Sequence, residues 1–362
     1  MKIRYWLFSF VVLISFVWIF SSLHAGNNFD FKEPAWTSLS EQELEQYDTL
    51  YAMSDIHGTF ERFTTLLENA NLIEKDSSDI GYDWVGNKNA LKKTILILVG
   101  DYIGKENYKD YDPIGVILLI KKLQKQAALR RDKIIVLLGN HEAEFLADPE
   151  KNFKKGPDLE SLIKHVHHVY GITPKDLEDH SETKAAIKII AKKLFESEFG
   201  DDLKTFPIGA KIGGWLFAHS GYMDVNDKSV GAYLSKITNA WVNKNYEILV
   251  DKNLPLSSFL EAHNWWDEKS KREHTKSILD QLKLTGLVMG HDPDALHRRG
   301  EIALAESQFL IKLDTGMNMQ ADDSKGKLLQ CPIAAILSNT KKQCEQLDEK
   351  GRTVSIPVIA GY

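Results

Sequence analysis

Cysteine is scarce in this chain, with only Cys331 and Cys344 among 362 residues. Two cysteines near the C-terminus do not have the spacing of a zinc knuckle, which excludes a small domain built around cysteine-bound zinc. In an exported protein such a pair can form a disulfide, whereas in a reducing compartment both remain thiols. The sequence leaves both states open, because it contains no distance between the two sulfur atoms.

An excess of positive charge is also missing, since 45 Lys and Arg residues stand against 51 Asp and Glu residues. The formal net charge is -6, whereas chains that bind nucleic acids usually carry a basic surplus. We therefore expect no nucleic acid among the partners. The composition, 43% hydrophobic and 27% charged, is that of an ordinary globular protein, and the length fits one large domain or two small ones.

Long apolar runs are absent except at the N-terminus. There, Lys2 and Arg4 precede an apolar run over 5–20, and Ala25 supplies a small residue after it. This order predicts a secretory signal peptide over 1–25, and hence an exported protein that is periplasmic or secreted. The run is also just long enough to stay as an anchor, in which case the chain meets a membrane only through this segment.

Composition divides the rest of the chain. Residues 26–48 are polar and mixed, which predicts a linker with room for one short helix. We expect the main domain over 49–345 and a C-terminal tail over 346–362. Within the domain, residues 150–205 are charged and have helical periodicity, so we expect a helical insertion there. A histidine cluster on a solvated helix is usually surface, and we expect this of the insertion's histidines, namely His165, His167, His168 and His180.

Two unbroken apolar runs of strand length indicate the fold class. They cover 94–99 and 133–138, and a segment with helical period lies between them over 114–129. Strands without polar alternation are typical of sheets that are buried on both faces. The strand–helix–strand order therefore predicts an α/β (α+β) fold with helices layered on sheets.

Five short motifs with acidic, amide or imidazole side chains stand among these elements. They are Asp55-Ile56-His57-Gly58, Gly100-Asp101, Gly139-Asn140-His141-Glu142, His219-Ser220-Gly221 and Gly290-His291-Asp292. Four of them follow predicted strands, and ligands bind beyond the carboxyl ends of strands in open α/β sheets. We therefore expect one site, with these candidate metal ligands: Asp55, His57, Asp101, Asn140, His219 and His291. Mixed oxygen and nitrogen ligation favours manganese, with iron, zinc or nickel as alternatives.

The same residues indicate a reaction. Two metal ions roughly 3.5–4 Å apart can clamp the attacking and leaving oxygens of an in-line displacement and can lower the pKa of a bridging water. Asp101 has two carboxylate oxygens and is suited to bridge the ions. His141 adjoins Asn140, so we assign it as the general acid, and Glu142 as a residue that orients a neighbour. The predicted reaction is hydrolysis of a phosphate ester by a metal-bound hydroxide.

The motifs together resemble the calcineurin-like metallophosphoesterase superfamily, in its phosphoprotein phosphatase branch and nearest the bacterial Shewanella-like phosphatases. The likeness also includes Leu313-Asp314-Thr315-Gly316 and extends over about residues 50–340. It implies a β-sandwich flanked by helices. It also implies two divalent ions, the first held by Asp55, His57 and Asp101. The second ion would be held by Asp101, Asn140, His219 and His291, with His141 as the acid.

The chain departs from this family after Gly100-Asp101. An aspartate that braces the acid histidine and an arginine that grips phosphate usually follow, but here Gly104 and Lys105 occupy those positions. Lys105 can attract phosphate only as a point charge, and Arg298 is a second candidate contact. Asp110 or Asp112 can take the place of the brace. The ligand set is whole while the phosphate contact is altered, which predicts a hydrolase that is slow or has a shifted substrate preference.

Three functions compete on this evidence. The first is an exported, dinuclear phosphomonoesterase that acts on phosphorylated proteins. The second is hydrolysis of a small phosphate ester, such as a nucleotide or a dinucleoside polyphosphate, and the 150–205 insertion favours this if it roofs the site closely. The third is a binding protein that keeps the metal fold without catalysis, which the altered contact favours and the intact His141 opposes. Nothing in the sequence indicates an oligomeric state.

Overall fold

The computed structural model describes most of the chain. The described residues are 29–78, 80–86, 93–104, 111–153, 159–169, 172–173, 175, 184–226, 229–317 and 324–362. The segment predicted as a signal peptide, 1–25, lies outside them, and so do Lys105 and Asp110. Within these ranges no helix has both the length and the apolar character needed to span a bilayer.

The strands form two mixed sheets. In chain order they are β1 (Trp36–Leu39), β2 (Tyr47–Met53), β3 (Ile73–Lys75), β4 (Tyr82–Trp84), β5 (Lys93–Val99), β6 (Lys133–Leu137), β7 (Gly209–Ile212), β8 (Trp215–Ala218), β9 (Gly286–Met289), β10 (Ala303–Ala305), β11 (Leu310–Lys312), β12 (Leu328–Pro332), β13 (Glu345–Leu347), β14 (Thr353–Ser355) and β15 (Val358–Ile359). One sheet has the order β14-β13-β12-β2-β5-β6 and the other β1-β7-β8-β9-β11-β10-β15. Strands β3 and β4 form a separate antiparallel pair.

Helices flank the sheets. The α-helices are α1 (Glu41–Leu44), α2 (Phe60–Asn69), α3 (Pro113–Arg130), α4 (Asn140–Ala147), α5 (Leu159–His165), α6 (Lys184–Phe195), α7 (Glu198–Leu203), α8 (Val230–Val242), α9 (Glu247–Val250), α10 (Ser258–Glu261), α11 (Lys269–Gln281) and α12 (Ile333–Leu337). Short 3-10 helices include Trp265–Asp267 and Ala295–His297.

Strand β5 explains the layering. Its side chains alternate, so that Ile95, Ile97 and Val99 belong to the core between the sheets. Leu96 and Leu98 belong instead to the core beneath the helices. All five are buried, and each contributes roughly 1.5–3 kcal/mol when removed from water. A strand with apolar neighbours on both faces has an unbroken apolar sequence. The predicted β-sandwich flanked by helices is confirmed.

Strand direction brings the five motifs together. Strands β2, β5 and β6 are parallel to one another, and in the other sheet β8 is parallel to β9. Their carboxyl ends carry the motifs, which begin within two residues of the last strand residue. The sequence placed only four motifs after strands. The structure places all five there, because β2 ends at Met53, just before Asp55.

The segment predicted as a linker, 26–48, is different in the structure. Residues Trp36–Leu39 form β1, which pairs in parallel with β7. Trp36 is fully buried, and its indole Nε1 donates to Thr238 Oγ1 at 2.8 Å. Its ring packs edge-on against Phe31 and Phe259. Because the residues around Trp36 are polar, the sequence did not indicate a strand here. The expected short helix is present as α1.

The segment predicted as a C-terminal tail, 346–362, is also part of the sandwich. Strand β14 pairs with β13 in one sheet, and β15 pairs with β10 in the other. The chain therefore crosses from one sheet to the other at the buried Ile356. All three residues of β14 are exposed, so the strand lacks the alternation by which a half-buried strand is recognised.

The described part of the 150–205 region is helical, as predicted, and consists mainly of α5, α6 and α7. The surface assignment is wrong for His165, which is 8% exposed. Its Nε2 lies 2.8 Å from Asp112 Oδ2, so an ion-pair partner from another element explains the burial. The side chain of His167 and all of His180 lie outside the described residues.

The two cysteines are joined. Cys331 of β12 and Cys344, directly before β13, form a disulfide, and both are fully buried. The bond links the two ends of a short excursion that contains α12. Of the two states that the sequence left open, the structure contains the disulfide.

Candidate metal centre

Helix α4 begins inside the site. Gly139 is its N-cap, and Glu142 stands three residues later, where a carboxylate can reach back to free N–H groups. Glu142 Oε2 accepts from the N–H groups of Gly139 and Asp101, both at 2.9 Å. Its Oε1 accepts from Tyr102 and Ile103 at 2.8 and 3.0 Å. The residue predicted to orient a neighbour thus joins the loop after β5 to the start of α4.

Glu142 is completely buried, which affects its charge. Burial and the nearby Asp101 carboxylate raise its pKa to about 7, whereas the backbone N–H donors favour the ionised form. Gly139 fits this arrangement because it has no side chain. A Cβ at this position would lie 2.2 Å from the Asp101 nitrogen. The packing of two loops therefore requires both the glycine and the glutamate of the Gly-Asn-His-Glu motif.

Four of the predicted ligands have left-handed backbone conformations. The φ angles of Asp55, His57, Asp101 and His291 lie between 44° and 71°. Residues with side chains rarely adopt such angles, and they cost of order 1–3 kcal/mol each. Their concentration at one place indicates that the surrounding structure holds these side chains in position, as is common at functional sites.

The first group of ligand atoms surrounds His57. Its Nδ1 lies 3.1 Å from the carbonyl oxygen of Ile103, so Nδ1 carries the proton and Nε2 presents its lone pair. This Nε2 lies 3.8 Å from Asp55 Oδ1 and 3.7 Å from Asp101 Oδ2. The Nε2 atom of His141 is also 3.7 Å from Asp101 Oδ2. The ligand atoms of His57, Asp101 and His141 all lie within 4.8 Å of one another.

The second group is tighter. His219 Nδ1 lies 2.9 Å from the Val99 carbonyl oxygen, which again leaves Nε2 as the atom with a lone pair. Asn140 Oδ1 lies 2.9 Å from this Nε2 and 3.1 Å from His291 Nδ1. The two imidazole nitrogens are themselves 3.1 Å apart. Asp101, His219 and His291 form a set of ligand atoms within 4.8 Å.

These distances test whether the residues fit a metal ion. In the second group the Asn140 amide oxygen faces the lone pair of His219 Nε2, and His291 Nδ1 lies at a similar distance from both atoms. If the Asn140 amide were reversed, its NH₂ group would donate hydrogen bonds to Asp101, His219 and His291. The side-chain atoms around Asn140 can therefore all act as hydrogen-bond acceptors. Converging acceptors are stable around a shared cation. The chemistry of this group therefore fits a divalent metal ion.

Asp101 belongs to both groups. Its Oδ2 faces His57 and His141, and its Oδ1 lies 3.3 Å from His219 Nε2. Burial opposes a charge on Asp101, but the imidazoles of His219, His141 and His57 outweigh it and hold the pKa of the carboxyl well below its usual range. Oδ1 also accepts from the His141 N–H at 3.1 Å. A single ionised carboxylate therefore faces two sets of ligand atoms.

The two sheets meet at Asp55. Its Oδ2 accepts from the backbone N–H of His291 at 2.9 Å, and its Oδ1 faces His57. One side chain from β2 thus fixes a loop that follows β9 in the other sheet. The structure brings together all six predicted ligands and His141, and each is at most 9% exposed.

Two other predicted site residues have different surroundings. Asp112 accepts from the Gly115 N–H at 2.9 Å as the N-cap of α3, and it contacts Lys164 and His165 at 2.7 and 2.8 Å. It therefore joins α3 to α5, and no described contact links it to His141. Arg298 is half-exposed and lies 3.7 Å from Glu301, with which it forms an ion pair.

Two residues beside the cluster were not found from the sequence. Glu144 Oε2 lies 3.8 Å from His141 Nδ1, and both side chains are largely buried. His263 stacks on His291, with ring centroids 4.0 Å apart and planes at 30°. A carboxylate one helical turn from Asn140 was a usable signal for Glu144, because residues four apart share a helix face. No local pattern distinguishes His263.

The paired sheets and the shared carboxylate define a class, the metallophosphoesterases. The chain matches the calcineurin-like phosphoesterase family over residues 49–295 and belongs to that family. It is therefore a metal-dependent phosphatase, and its substrates carry phosphate esters. The family confirms the class of enzyme predicted from the motifs and the requirement for divalent metal.

Particular relatives fit the predicted branch. The chain is 22% identical over 347 residues to Shewanella-like protein phosphatase 1 of Plasmodium berghei (strain Anka), which covers 86% of this chain and 84% of that protein. A structure of a cold-active protein tyrosine phosphatase aligns with a TM-score of 0.59 and 16% identity, covering 89% of this chain and 80% of the other. The cold-active protein-tyrosine phosphatase of a psychrophilic Shewanella species gives 0.57 and 18%, covering 89% and 82%. These structures share the fold.

Proposed function

We propose that the chain is an exported phosphomonoesterase that uses two divalent ions and acts on phosphorylated proteins. The observation that carries the dinuclear proposal is the pair of ligand groups that share Asp101. In this proposal Asp55, His57 and Asp101 hold one ion. Asp101, Asn140, His219 and His291 hold the other, so that this assignment uses all six predicted ligands, each of which is buried.

The residues of the chain divide the chemical work. Two bound divalent ions supply Lewis acidity at the phosphoryl group and activate water near neutral pH. His141 lies beside Asp101 through Nε2, so this nitrogen faces the reacting phosphate and gives its proton to the leaving oxygen. Glu144 faces the opposite nitrogen, Nδ1, and orients the ring. It takes the role for which the sequence offered Asp110 or Asp112.

The substrate class rests on the relatives. The relative and the aligned structures are protein phosphatases by name. A cavity of about 490 Å³ is lined mainly by polar side chains, among them Glu144, which faces His141, and Asn152 and Lys252. We therefore place phosphoproteins before nucleotides and other small phosphate esters.

Manganese and export are parts of the same proposal. Carboxylate, amide and imidazole ligands together suit manganese, and iron, zinc or nickel would be accepted by the same set. The buried disulfide supports export, because disulfides persist mainly outside the reducing cytosol. The positive and apolar N-terminal segment over 1–25 supports it as well.

Reconstitution with metal tests the enzyme. Protein stripped with a chelator should lose turnover of an aryl phosphate and regain it with Mn²⁺. Titration of the stripped protein should show about two ions bound per chain, as expected for a dinuclear site. Binding of one ion, with full activity, would refute the dinuclear assignment while leaving the phosphatase in place.

The His141→Ala variant tests the general acid. We expect turnover to fall by about 10²–10⁴-fold while the metal content stays unchanged. A His274→Ala variant is a matched control, because His274 contacts the Met223 carbonyl oxygen away from the cluster. Loss of metal from the His141 variant would instead make His141 a ligand.

Substrate class and export need separate measurements. A panel of phosphoserine, phosphothreonine and phosphotyrosine peptides should give higher kcat/KM than nucleotides and dinucleoside polyphosphates. The reverse order would select the small-molecule alternative. Fractionation of bacteria that express the whole chain should place activity in the periplasm, whereas a form without 1–25 should stay in the cytoplasm. Equal distribution of both forms would remove the export proposal.

A further inference from the structure

The binding of phosphate requires a group that contacts the phosphate oxygens, and three described cationic side chains that could be considered are paired with carboxylates. Arg298 pairs with Glu301, and Arg299 makes a bidentate pair with Asp294. Lys252 lies 3.2 Å from Glu261 Oε2. The imidazole of His263 differs from these side chains because it lies directly against a proposed ligand, His291, and is also open to solvent.

His263 lies at the mouth of the metal centre. Its ring stacks on the ring of His291 at 4.0 Å, yet its side chain is 52% exposed, whereas His291 is 4% exposed. The His263 ring therefore lies between the buried ligands and the solvent. A substrate bound at this side of His291 would therefore come within reach of the ring.

The backbone around His263 is fixed to both ligand loops of its sheet. The Ala262 carbonyl accepts from Ser220 Oγ at 2.9 Å, directly after His219. On the other side, Asn264 N–H and Trp266 Nε1 donate to Asp292 Oδ2 at 3.4 and 3.2 Å, directly after His291. Asn264 has a left-handed φ of 55°. Such anchoring holds a contact group in place before the substrate arrives, which reduces the entropy lost on binding.

The two ring nitrogens of His263 have different surroundings. Nδ1 lies 3.8 Å from Asp292 Oδ2, so the carboxylate faces this side of the ring. Asp292 is buried, and its Oδ2 accepts from the Asn264 N–H and the Trp266 indole N–H, which hold the carboxylate beside the ring. The 3.8 Å distance is longer than a hydrogen bond, so it does not fix the proton on Nδ1, and the tautomer with the proton on Nε2 is open to His263. Nε2 is then the nitrogen that can donate to a ligand. An imidazole N–H is a suitable donor to a phosphate oxygen.

We propose that His263 is a substrate-contacting residue that donates a hydrogen bond from Nε2 to a phosphate oxygen at the metal centre. The inference rests on the proposed function, because it assumes that a phosphate ester reaches the metal centre. It concerns binding and involves no covalent step. It assigns to His263 the contact that the sequence gave to Lys105 or Arg298.

Three variants separate a phosphate contact from support of His291. His263→Ala removes both the ring and the donor, and His263→Phe keeps a stacking ring without a donor. His263→Gln keeps an N–H near the position of Nε2. We expect the Ala and Phe variants to bind inorganic phosphate about tenfold more weakly, as for one lost hydrogen bond to a charged group, and the Gln variant to recover part of this.

The measurement is calorimetric titration of the Mn²⁺-loaded full chain with inorganic phosphate, together with metal content. The control is His297→Ala, which removes a 64% exposed histidine paired with Asp267 and should leave phosphate affinity unchanged. In turnover, we expect the Phe variant to raise KM with little change in kcat. Wild-type phosphate affinity in the Phe variant would overturn the proposal, and so would a loss of metal that accounts for the whole effect.

Binding and turnover report on different claims. If the wild-type chain binds phosphate through His263 but hydrolyses no ester, the proposed function fails and the contact stands. If the chain is an active phosphatase and the His263→Phe variant equals it in phosphate affinity and KM, the contact fails and the function stands. A wild-type chain that binds no phosphate would overturn both.

Discussion

Single side chains decide the chemistry at the edge of the sheets. Asp101 is one carboxylate that faces two groups of ligand atoms, and Glu142 secures the loop that carries it through backbone N–H groups. The sequence named these residues because they stand in recognisable motifs after apolar strands. The sequence did not identify Glu144 or His263, because a local sequence pattern contains no information about the distance between a residue and a ligand on another element.

Replacement of Glu144 tests the orientation of His141, the proposed general acid. We expect Glu144→Gln to lower kcat about tenfold with little change in KM, because a neutral amide holds the His141 ring less firmly than a carboxylate. Steady-state kinetics and metal analysis provide the measurement. The control Glu150→Gln alters an exposed pair with Lys188 and should leave kcat unchanged. A Glu144→Gln enzyme with the wild-type kcat would show that His141 needs no such partner.

A methyl group at Gly290 should disturb Asp55. A Cβ there would lie 2.4 Å from Asp55 Oδ2 and 2.6 Å from Ser54 Oγ, so both side chains must move. We expect Gly290→Ala to weaken Mn²⁺ binding at least about tenfold, which metal titration measures. Gly231→Ala is the matched control, since its Cβ meets nothing within 4 Å and alanine is favoured over glycine in helix α8 by about 0.5–1 kcal/mol. Equal metal affinity of both variants would contradict the prediction.

At the scale of elements, Asp112 links the helical insertion to the sandwich. Its side chain caps the N-terminus of α3 and contacts Lys164 and His165 of α5. The sequence considered Asp112 only as a partner of His141, because the pairing of two helices separated by about fifty residues has no local signature. The strands with unbroken apolar runs, β5 and β6, were predicted correctly, since two-sided burial shows in their own residues.

Asp112 should make stability depend on acid pH. Burial opposes its charge, but hydrogen bonds from His165 and Lys164 outweigh this and lower the pKa to about 2. A folded-state pKa below the unfolded value of about 3.9 contributes stability above that value, roughly 2 kcal/mol, and the contribution is lost as pH falls from about 4 to about 2. Urea unfolding should therefore show Asp112→Asn less stable than wild type at pH 6, with the difference shrinking towards pH 2.5. A difference that stays constant over this range would exclude the ion pairs as its source.

At the scale of the whole molecule, the C-terminal segment completes both sheets. Strands β12 and β13 are held by Cys331–Cys344, and the following residues cross to the other sheet through β14 and β15. The sequence treated 346–362 as a tail and 26–48 as a linker. Both segments bury few of their own residues, and their strands depend on partners elsewhere in the chain.

Removal of the disulfide tests this closure. We expect the double variant Cys331→Ala and Cys344→Ala to unfold at lower denaturant, with a loss of about 2–4 kcal/mol, since a bond across 13 residues restricts the unfolded chain. The wild-type chain with reductant should shift in the same direction. Phosphatase activity of the folded variant should persist, because both cysteines belong to the core between the sheets and neither is a proposed ligand. Two titratable thiols in the unfolded, unreduced chain would contradict the prediction.

The sequence by itself determined the reaction class, the candidate ligands from Asp55 to His291, and the layered fold. These depend on residue types next to strands, and hydrophobic periodicity makes strands visible locally. Tertiary structure alone decided that Asp101 serves both groups, that Glu144 faces His141, that His263 covers His291, and that Trp36 anchors a strand. Such contacts join residues that are distant along the chain or lie on particular helix faces. Only the folded chain, in which strand ends from two sheets meet, brings them within reach.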